Sequence, residues 1–250
     1  MKKVVIIGGA GTIGQILAKG LGNQYHIVIM DKEIENSVNH SSQIQVDATN
    51  FQDLVNHIPK DTGTIINLIK TDTNDAIEEL ETFDRMTDVF FKATYYILAA
   101  AKELRIPKVI FASSNHVTDF YEEDGKSLLD REITTNDYPK SKGLYGLLKL
   151  ASEQAGFLFS LHSKLSVINI RIGSVPKDVT YEDVLENERL KKTLLSNTDV
   201  VDLFRLAIEA KVKFGTYYGV SDNPEKPWDM SNTKAELGFI STETTKDILN

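Results

Sequence analysis

Six short runs rich in Val and Ile recur along the chain: "KVVIIG" (3–8), "HIVIMD" (26–31), "IQVDA" (44–48), "TIINLI" (64–69), "KVIFAS" (108–113) and "SVINIRI" (166–172). Most show no alternation of apolar and polar residues. A strand with one wet face alternates, whereas a strand buried on both faces does not. The gaps hold helix-length segments at 12–21, 51–57, 75–104 (with a break), 143–162 and 199–210. Strands and helices in turn imply an α/β fold, a doubly wound parallel sheet with right-handed crossovers. The regularity fades after about residue 173. Residues 1–250 therefore read as one domain, with 174–250 contributing a small C-terminal substrate-binding extension.

The first run leads into "GGAGTIGQIL". Gly9, Gly11 and Gly14 have the G-x-G-x-x-G spacing, and Gly8 adds a G-x-x-G-x-x-G reading. A dinucleotide site needs such residues: the chain must turn tightly, let a pyrophosphate approach the backbone, and pack the next helix close to the strand. The helix start then offers free N–H groups to the phosphates. Asp31 ends the second strand, where a carboxylate would hold the adenosine ribose hydroxyls and repel an added 2′-phosphate; Lys32 beside it works against that repulsion. Asp47, ending the third strand, reads equally as an adenine contact or as a helix cap. The expectation is a Rossmann-type sheet with bound NAD.

Charge and composition narrow the partners. The net charge is −8, which disfavours a phosphate-backbone partner. There is no cysteine, so no disulfide, thiolate metal site or cysteine nucleophile. The five histidines lack ligand spacing and no G-x-S-x-G occurs, so neither a metal site nor a nucleophilic triad is expected. No apolar run approaches the roughly 20 residues that span a bilayer, and the start of the chain does not resemble a signal peptide. These features read as a soluble, cytoplasmic protein.

A second motif lies in "LYGLLKLASEQ", where Tyr145 and Lys149 stand four residues apart on one helix face. A tyrosine acting as a base needs nearby positive charge. A lysine within about 4–6 Å together with an oxidised nicotinamide would lower its pKa by roughly 1–3 units. Alone, such a pair arises often by chance. Here it accompanies a glycine turn and "ASSNHV" (112–117) at the end of the fifth run.

With those residues in place the chain resembles the extended short-chain dehydrogenase/reductases, the NAD-dependent epimerase/dehydratase family. The resemblance implies that Tyr145 is the catalytic base and that Lys149 binds the nicotinamide ribose. Ser114 would hold the reacting oxygen. It also implies cofactor contacts at Thr12, Ile13, Ala48, Leu68, Ile69, Ser113 and Ile172, beside Gly8, Gly11, Gly14, Asp31, Lys32 and Asp47. Within the family, "SSNH", "NIRIGS" (169–174), "ERLKKTLLSNTDVVDL" (188–203) and "YYGVSDNPEKPWDM" (217–230) look like uronate dehydrogenases. That likeness implies that Asn115, His116 and Ser174 touch the sugar. It also implies that Arg189 takes a substrate carboxylate in its planar fork. His116 read alone would be a structural strand-end histidine, and Arg189 read alone a solvated helix arginine. Trp228 reads as packing. The segment after Ile172 is short for a nucleotide-sugar pocket.

Several positions depart from the pattern. Phe90 stands where most members carry a relay asparagine. Lys70 and Asp72 replace small residues after the fourth strand, and both are candidate substrate contacts. The acidic run 72–81 reads as a helix start. The leading expectation is NAD-dependent oxidation of a hydroxyl of a sugar or sugar acid. An NAD-dependent epimerase is the enzymatic alternative, and a non-catalytic NAD(H)-binding sensor or scaffold the other. Family resemblance also implies a homo-oligomer.

Overall fold

The computed structural model describes residues 1–34, 42–73 and 79–249, and in it the apolar runs assemble into one parallel sheet. The strands are β1 (Lys3–Ile7), β2 (His26–Asp31), β3 (Ser42–Gln45), β4 (Thr62–Asn67) and β5 (Lys108–Ser114). A hairpin, β6 (Glu122–Glu123) and β7 (Lys126–Ser127), stands apart from the sheet. Two further sheet strands follow, β8 (Ser166–Ile172) and β9 (Phe214–Gly219). The sheet order is β3-β2-β1-β4-β5-β8-β9. The order reverses between β1 and β4, the place where a doubly wound sheet opens a crevice beyond its strand ends.

The missing alternation has its cause in two cores. Val4 and Ile6 point to one face, against Leu17 and Leu21 of α1 (Thr12–Leu21). Val5 and Ile7 point to the other, against Leu54 of α2 (Phe51–His57) and a long helical run beyond β4. All four are at most 1% exposed. Period-two geometry thus sends apolar residues to both sides. The long run consists of α3 (Leu80–Met86), a π-helical turn at Thr87–Lys92, and α4 (Ala93–Glu103). The expected helix at 75–104 is thus interrupted as anticipated; part of it, and part of the acidic run 72–81, falls at 74–78, outside the described residues.

Strand ends shift for local reasons. β3 stops at Gln45 rather than running to 48, because Asp47 turns the chain by accepting from Thr49 N and Oγ1 at 2.9 and 2.6 Å. β4 ends at Asn67; Leu68 N still donates to Ile7 O of β1 at 2.8 Å, and the Leu68–Ile69 backbone then packs beside Gly8. β9 was not expected. "FGTYYG" contains no Val or Ile, and its burial rests on Tyr217 and Tyr218. Their hydroxyls are satisfied by Glu236 Oε2 and Thr118 Oγ1, each at 2.7 Å. The segment after residue 173 accordingly divides. β9 and α8 (Asn197–Glu209) belong to the main sheet and its α1 side, while α6 (Tyr181–Glu186) and α7 (Glu188–Thr193) lie outside it; a short α9 (Thr245–Leu249) packs on α6. The remaining long helix, α5 (Leu144–His162), covers β5 and β8.

Candidate active site

The glycine turn separates two demands. Gly8 has φ +78°, and a Cβ there would lie 2.7 Å from the Leu68 and Ile69 backbone. A Cβ on Gly14 would lie 2.3 Å from Gly9 O. Both glycines are required by the protein's own packing. At Gly11 a Cβ would meet nothing closer than 3.6 Å, so that glycine keeps open space at the start of α1. It also leaves the leading N–H groups of α1 without a side-chain cap. Asp31 buttresses the turn: its carboxylate accepts from Ala10 N at 2.9 Å and Lys32 N at 2.8 Å.

A cavity of about 420 Å³ opens here. It gathers Gly8, Gly11, Asp31 and Lys32, with Asp47, Ala48, Leu68 and Ile69 opposite. Lys32 Nζ stands 3.5 Å from Asp47 Oδ2 across it. Burial works against the ionised Asp47, but hydrogen bonds from Thr49 and the nearby Lys32 outweigh it and hold the carboxyl below its usual range. Thr12, Ile13 and Gly14 form the first turn of α1 behind this wall. The space, the uncapped N–H groups and the paired carboxylates can hold a dinucleotide. Lys70, expected beside the substrate, is placed with this group: its Cε lies 3.7 Å from the point a Gly11 Cβ would occupy. Asp72 lies exposed farther along the same loop.

The second cluster stands at the end of β5. Ser114 pairs in register with Ile172 of β8. Its Oγ caps the 3₁₀ stretch Asn115–Tyr121, accepting from His116 N at 3.2 Å, and lies 3.3 Å from Asn115 Oδ1. Gly146 brings α5 onto this stretch; a Cβ there would stand 2.1 Å from His116 O. Tyr145 is thereby set beside Ser114 and His116, its ring 5.6 Å from the imidazole. Lys149, one turn on, is buried and donates to Ala112 O at 2.9 Å. Its ammonium lies 5.0 Å from the Phe90 ring and 4.7 Å from that of Phe111.

These surroundings set the acid–base chemistry. Burial lowers the Lys149 pKa to about 7, with Glu153 opposing. Burial pushes the Tyr145 phenol up, and the hydrogen bond with Ser114 draws it partly back. The direction is opposite to the lowering expected of Lys149, whose own charge is disfavoured by burial between aromatic walls. Phe90 is one of those walls, with its ring 5.0 Å from Tyr145. It sits in the π turn, and its carbonyl accepts from Ser152 Oγ at 2.6 Å. At the asparagine position of the family pattern the structure thus has an apolar, desolvating side chain.

A buried network behind this cluster escaped the sequence reading. Ser113 Oγ donates to Glu153 Oε1 at 2.5 Å, and Arg171 binds both Glu153 oxygens through Nε at 2.9 Å and NH2 at 2.8 Å. Arg171 then reaches Tyr218, whose hydroxyl meets Thr118. The available signal was a charged residue inside "SVINIRI", which a buried strand tolerates only with a partner.

On the substrate side the structure brings Ser174 and Arg189 together: Arg189 NH1 is 3.4 Å from Ser174 Oγ. The rest of the guanidinium is engaged by Glu122, a residue not singled out from sequence, through Nε and NH2. His116 Nδ1 is paired with Asp119 at 2.9 Å. Trp228 is packing, as expected, stacked on Tyr218 at 5.9 Å. Among the described residues no cluster of three or more His, Asp or Glu is placed to hold a metal ion, and no helix is long and apolar enough to cross a membrane.

Residues 4–176 match a family model described as "NAD dependent epimerase/dehydratase family". A Bacillus subtilis (strain 168) protein named "Uncharacterized protein YtbQ" is 52% identical over 250 residues, covering 100% of this chain and 98% of that protein. A Haloferax volcanii "NAD-dependent glucose-6-phosphate dehydrogenase" is 27% identical, covering 94% of this chain and 91% of its own. Among solved structures, a "Mutated Uronate Dehydrogenase" superposes with a TM-score of 0.82 at 26% identity, over 98% of this chain and 83% of that one.

Proposed function

The chain belongs to the NAD dependent epimerase/dehydratase family, and from that premise we propose that it is an NAD-dependent dehydrogenase oxidising a hydroxyl of a sugar or sugar acid. The observation that carries the reading is the meeting of Ser114, Tyr145 and Lys149 at the end of β5, with the glycine-turn cavity along the same sheet edge.

In this reading Asp31 and Asp47 hold the adenosine end of NAD, and Gly11 with the start of α1 receives the pyrophosphate. Bound NAD supplies the hydride acceptor and a positive nicotinamide ring. Tyr145 takes the hydroxyl proton as the C–H bond is given up and the carbon–oxygen bond becomes double. Ser114 holds the reacting oxygen, so that charge developing there meets a fixed donor. Lys149 would hold the nicotinamide ribose. Asn115, His116 and Ser174 hold the sugar by its hydroxyls. At an anomeric hydroxyl the product is a lactone; the curated and solved relatives named for glucose-6-phosphate and uronate support such a substrate class.

NADH formation over a panel of aldoses, hexuronates and polyols tests this. Turnover lost in Tyr145→Phe with NAD binding retained supports it. Silence across the panel with NAD binding intact would sink it in favour of a sensor or scaffold.

We further propose that a second copy of the chain covers α5. Leu147, Leu158 and Leu161 are 56, 53 and 62% exposed and share one face of that helix. Sedimentation of the wild type and Leu158→Glu distinguishes a dimer that dissociates from a monomer that was never paired.

A further inference from the structure

We propose that Glu122 sets the charge of the substrate: by occupying the fork of Arg189 it fits this site to an uncharged sugar rather than to a sugar acid. The proposal rests on the dehydrogenase reading and narrows it.

The placement comes from strand register. Ser114 is opposite Ile172, and Ser174 lies two residues beyond Ile172 at the same sheet edge. Ser174 Oγ is 3.4 Å from Arg189 NH1, so Arg189 reaches the edge where Ser114 and Tyr145 stand. A guanidinium there is what a sugar carboxylate would need.

That guanidinium is already taken. Arg189 Nε lies 3.1 and 3.3 Å from the two Glu122 oxygens, and NH2 lies 2.9 Å from Oε2. This is the two-pronged contact that a substrate carboxylate would make. Glu122 is 4% exposed and held from several sides. Gly125 N donates to its Oε1 at 2.6 Å, Lys142 Nζ donates to its carbonyl at 2.8 Å, and its backbone pairs with Ser127 in the β6–β7 hairpin. The hairpin packs directly on α7: a Cβ on Gly125 would lie 3.1 Å from Arg189 O and from the Lys192 side chain.

A substrate carboxylate has two ways in, and both are unfavourable. Displacing Glu122 strands a buried carboxylate without its cation. Sitting beside it places two carboxylates on one guanidinium, which disfavours the ionised form of one of them. The other cationic groups near this fork are engaged: the His116 ring faces Asp119 at 2.9 Å, Lys192 faces Glu225 at 2.9 Å, and the Lys142 ammonium is held on the Glu122 carbonyl at 2.8 Å. The groups beside Arg189 NH1 and Ser114 are neutral. Ser174 Oγ and Thr193 Oγ1 meet at 2.9 Å beside Arg189 NH1, and the Asn115 amide stands next to Ser114. Donors and acceptors of this kind suit hydroxyl groups.

The test compares kcat/KM for matched pairs: glucose with glucuronate, galactose with galacturonate, and glucose with glucose 6-phosphate, in wild type and Glu122→Gln. The wild type is expected to favour the uncharged member of each pair by about tenfold or more, and Glu122→Gln to move the hexuronate ratios toward the acid by about 10–100-fold, mainly through KM. A wild-type preference for the anion in any of the three pairs overturns the proposal, and so does a folded Glu122→Gln with unchanged ratios. The wild-type ratios decide alone should that variant not fold. NADH from no member of any pair, with NAD bound, removes the dehydrogenase reading itself, an outcome distinct from turnover of the wrong member.

Discussion

The two ends of the crevice are built by opposite means. At the glycine turn, space and uncapped N–H groups do the work, and residue identity follows from backbone geometry: Gly8 and Gly14 have no room for a side chain. At the end of β8, function depends on which side chain pairs with which. Arg189 looks like a carboxylate receptor until Glu122 is found in its fork. A backbone site carries its specification locally. A side-chain site carries it in a partner that is distant in sequence, here 67 residues away.

The largest expected effect lies at the side-chain end. Tyr145→Phe should lower kcat by about 10²–10⁴-fold, the usual contribution of a positioned acid or base, with NAD affinity within twofold by calorimetry. An equal fall in NAD affinity would show that the phenol acts through cofactor binding. Next comes Glu153→Ala, which leaves Arg171 buried without its anion. A loss of about 3–5 kcal/mol in denaturant unfolding is expected, and a loss under 1 kcal/mol would mean the network relaxes around the gap.

The glycine end gives a paired test. Gly14→Ala, whose Cβ would press on Gly9 O, should cost about 1–3 kcal/mol of stability. Gly11→Ala should leave unfolding within about 0.5 kcal/mol while weakening NAD by roughly tenfold or more, because only the ligand needs that space. Equal destabilisation by both would erase the distinction between packing and ligand glycines. The smallest effect concerns pH. The folded Lys149 pKa, about 7, lies below the usual 10.5, so the unfolded chain binds more protons between those values. Stability from this group therefore rises as pH climbs from about 7 toward 10.5 and is least below about 7. Lys149→Met should raise Tm near neutrality and flatten the rise; parallel Tm–pH curves would contradict the assignment.

Much of this was legible beforehand. Both-face burial of β1, β2, β4, β5 and β8 follows from Val and Ile without alternation, and the glycine turn from spacing alone. Ser114, Tyr145 and Lys149 converge as their motif implied. β9 was hidden because tyrosines with hydrogen-bonded hydroxyls replace the aliphatic run. Lys70 reads from sequence as a substrate contact or an exposed loop lysine after the fourth strand, and its nearness to Gly11 depends on how the loop folds back. The direction of the Tyr145 shift comes from the phenol's own burial, a three-dimensional fact with no local signature.

The π turn at Thr87–Lys92 has a further consequence. Such a turn is an α-helix that has swallowed one extra residue, and the flanking turns keep their phase. Chain length and side-chain chemistry are therefore separable at this point. Removing a single residue from the turn would restore ordinary α geometry and leave Met86 and Ala93 facing the packing they face now. It would withdraw the carbonyl that Ser152 uses and re-aim the Phe90 ring. A deletion, usually the harsher lesion inside a helix, becomes here a fine adjustment of the wall beside Lys149.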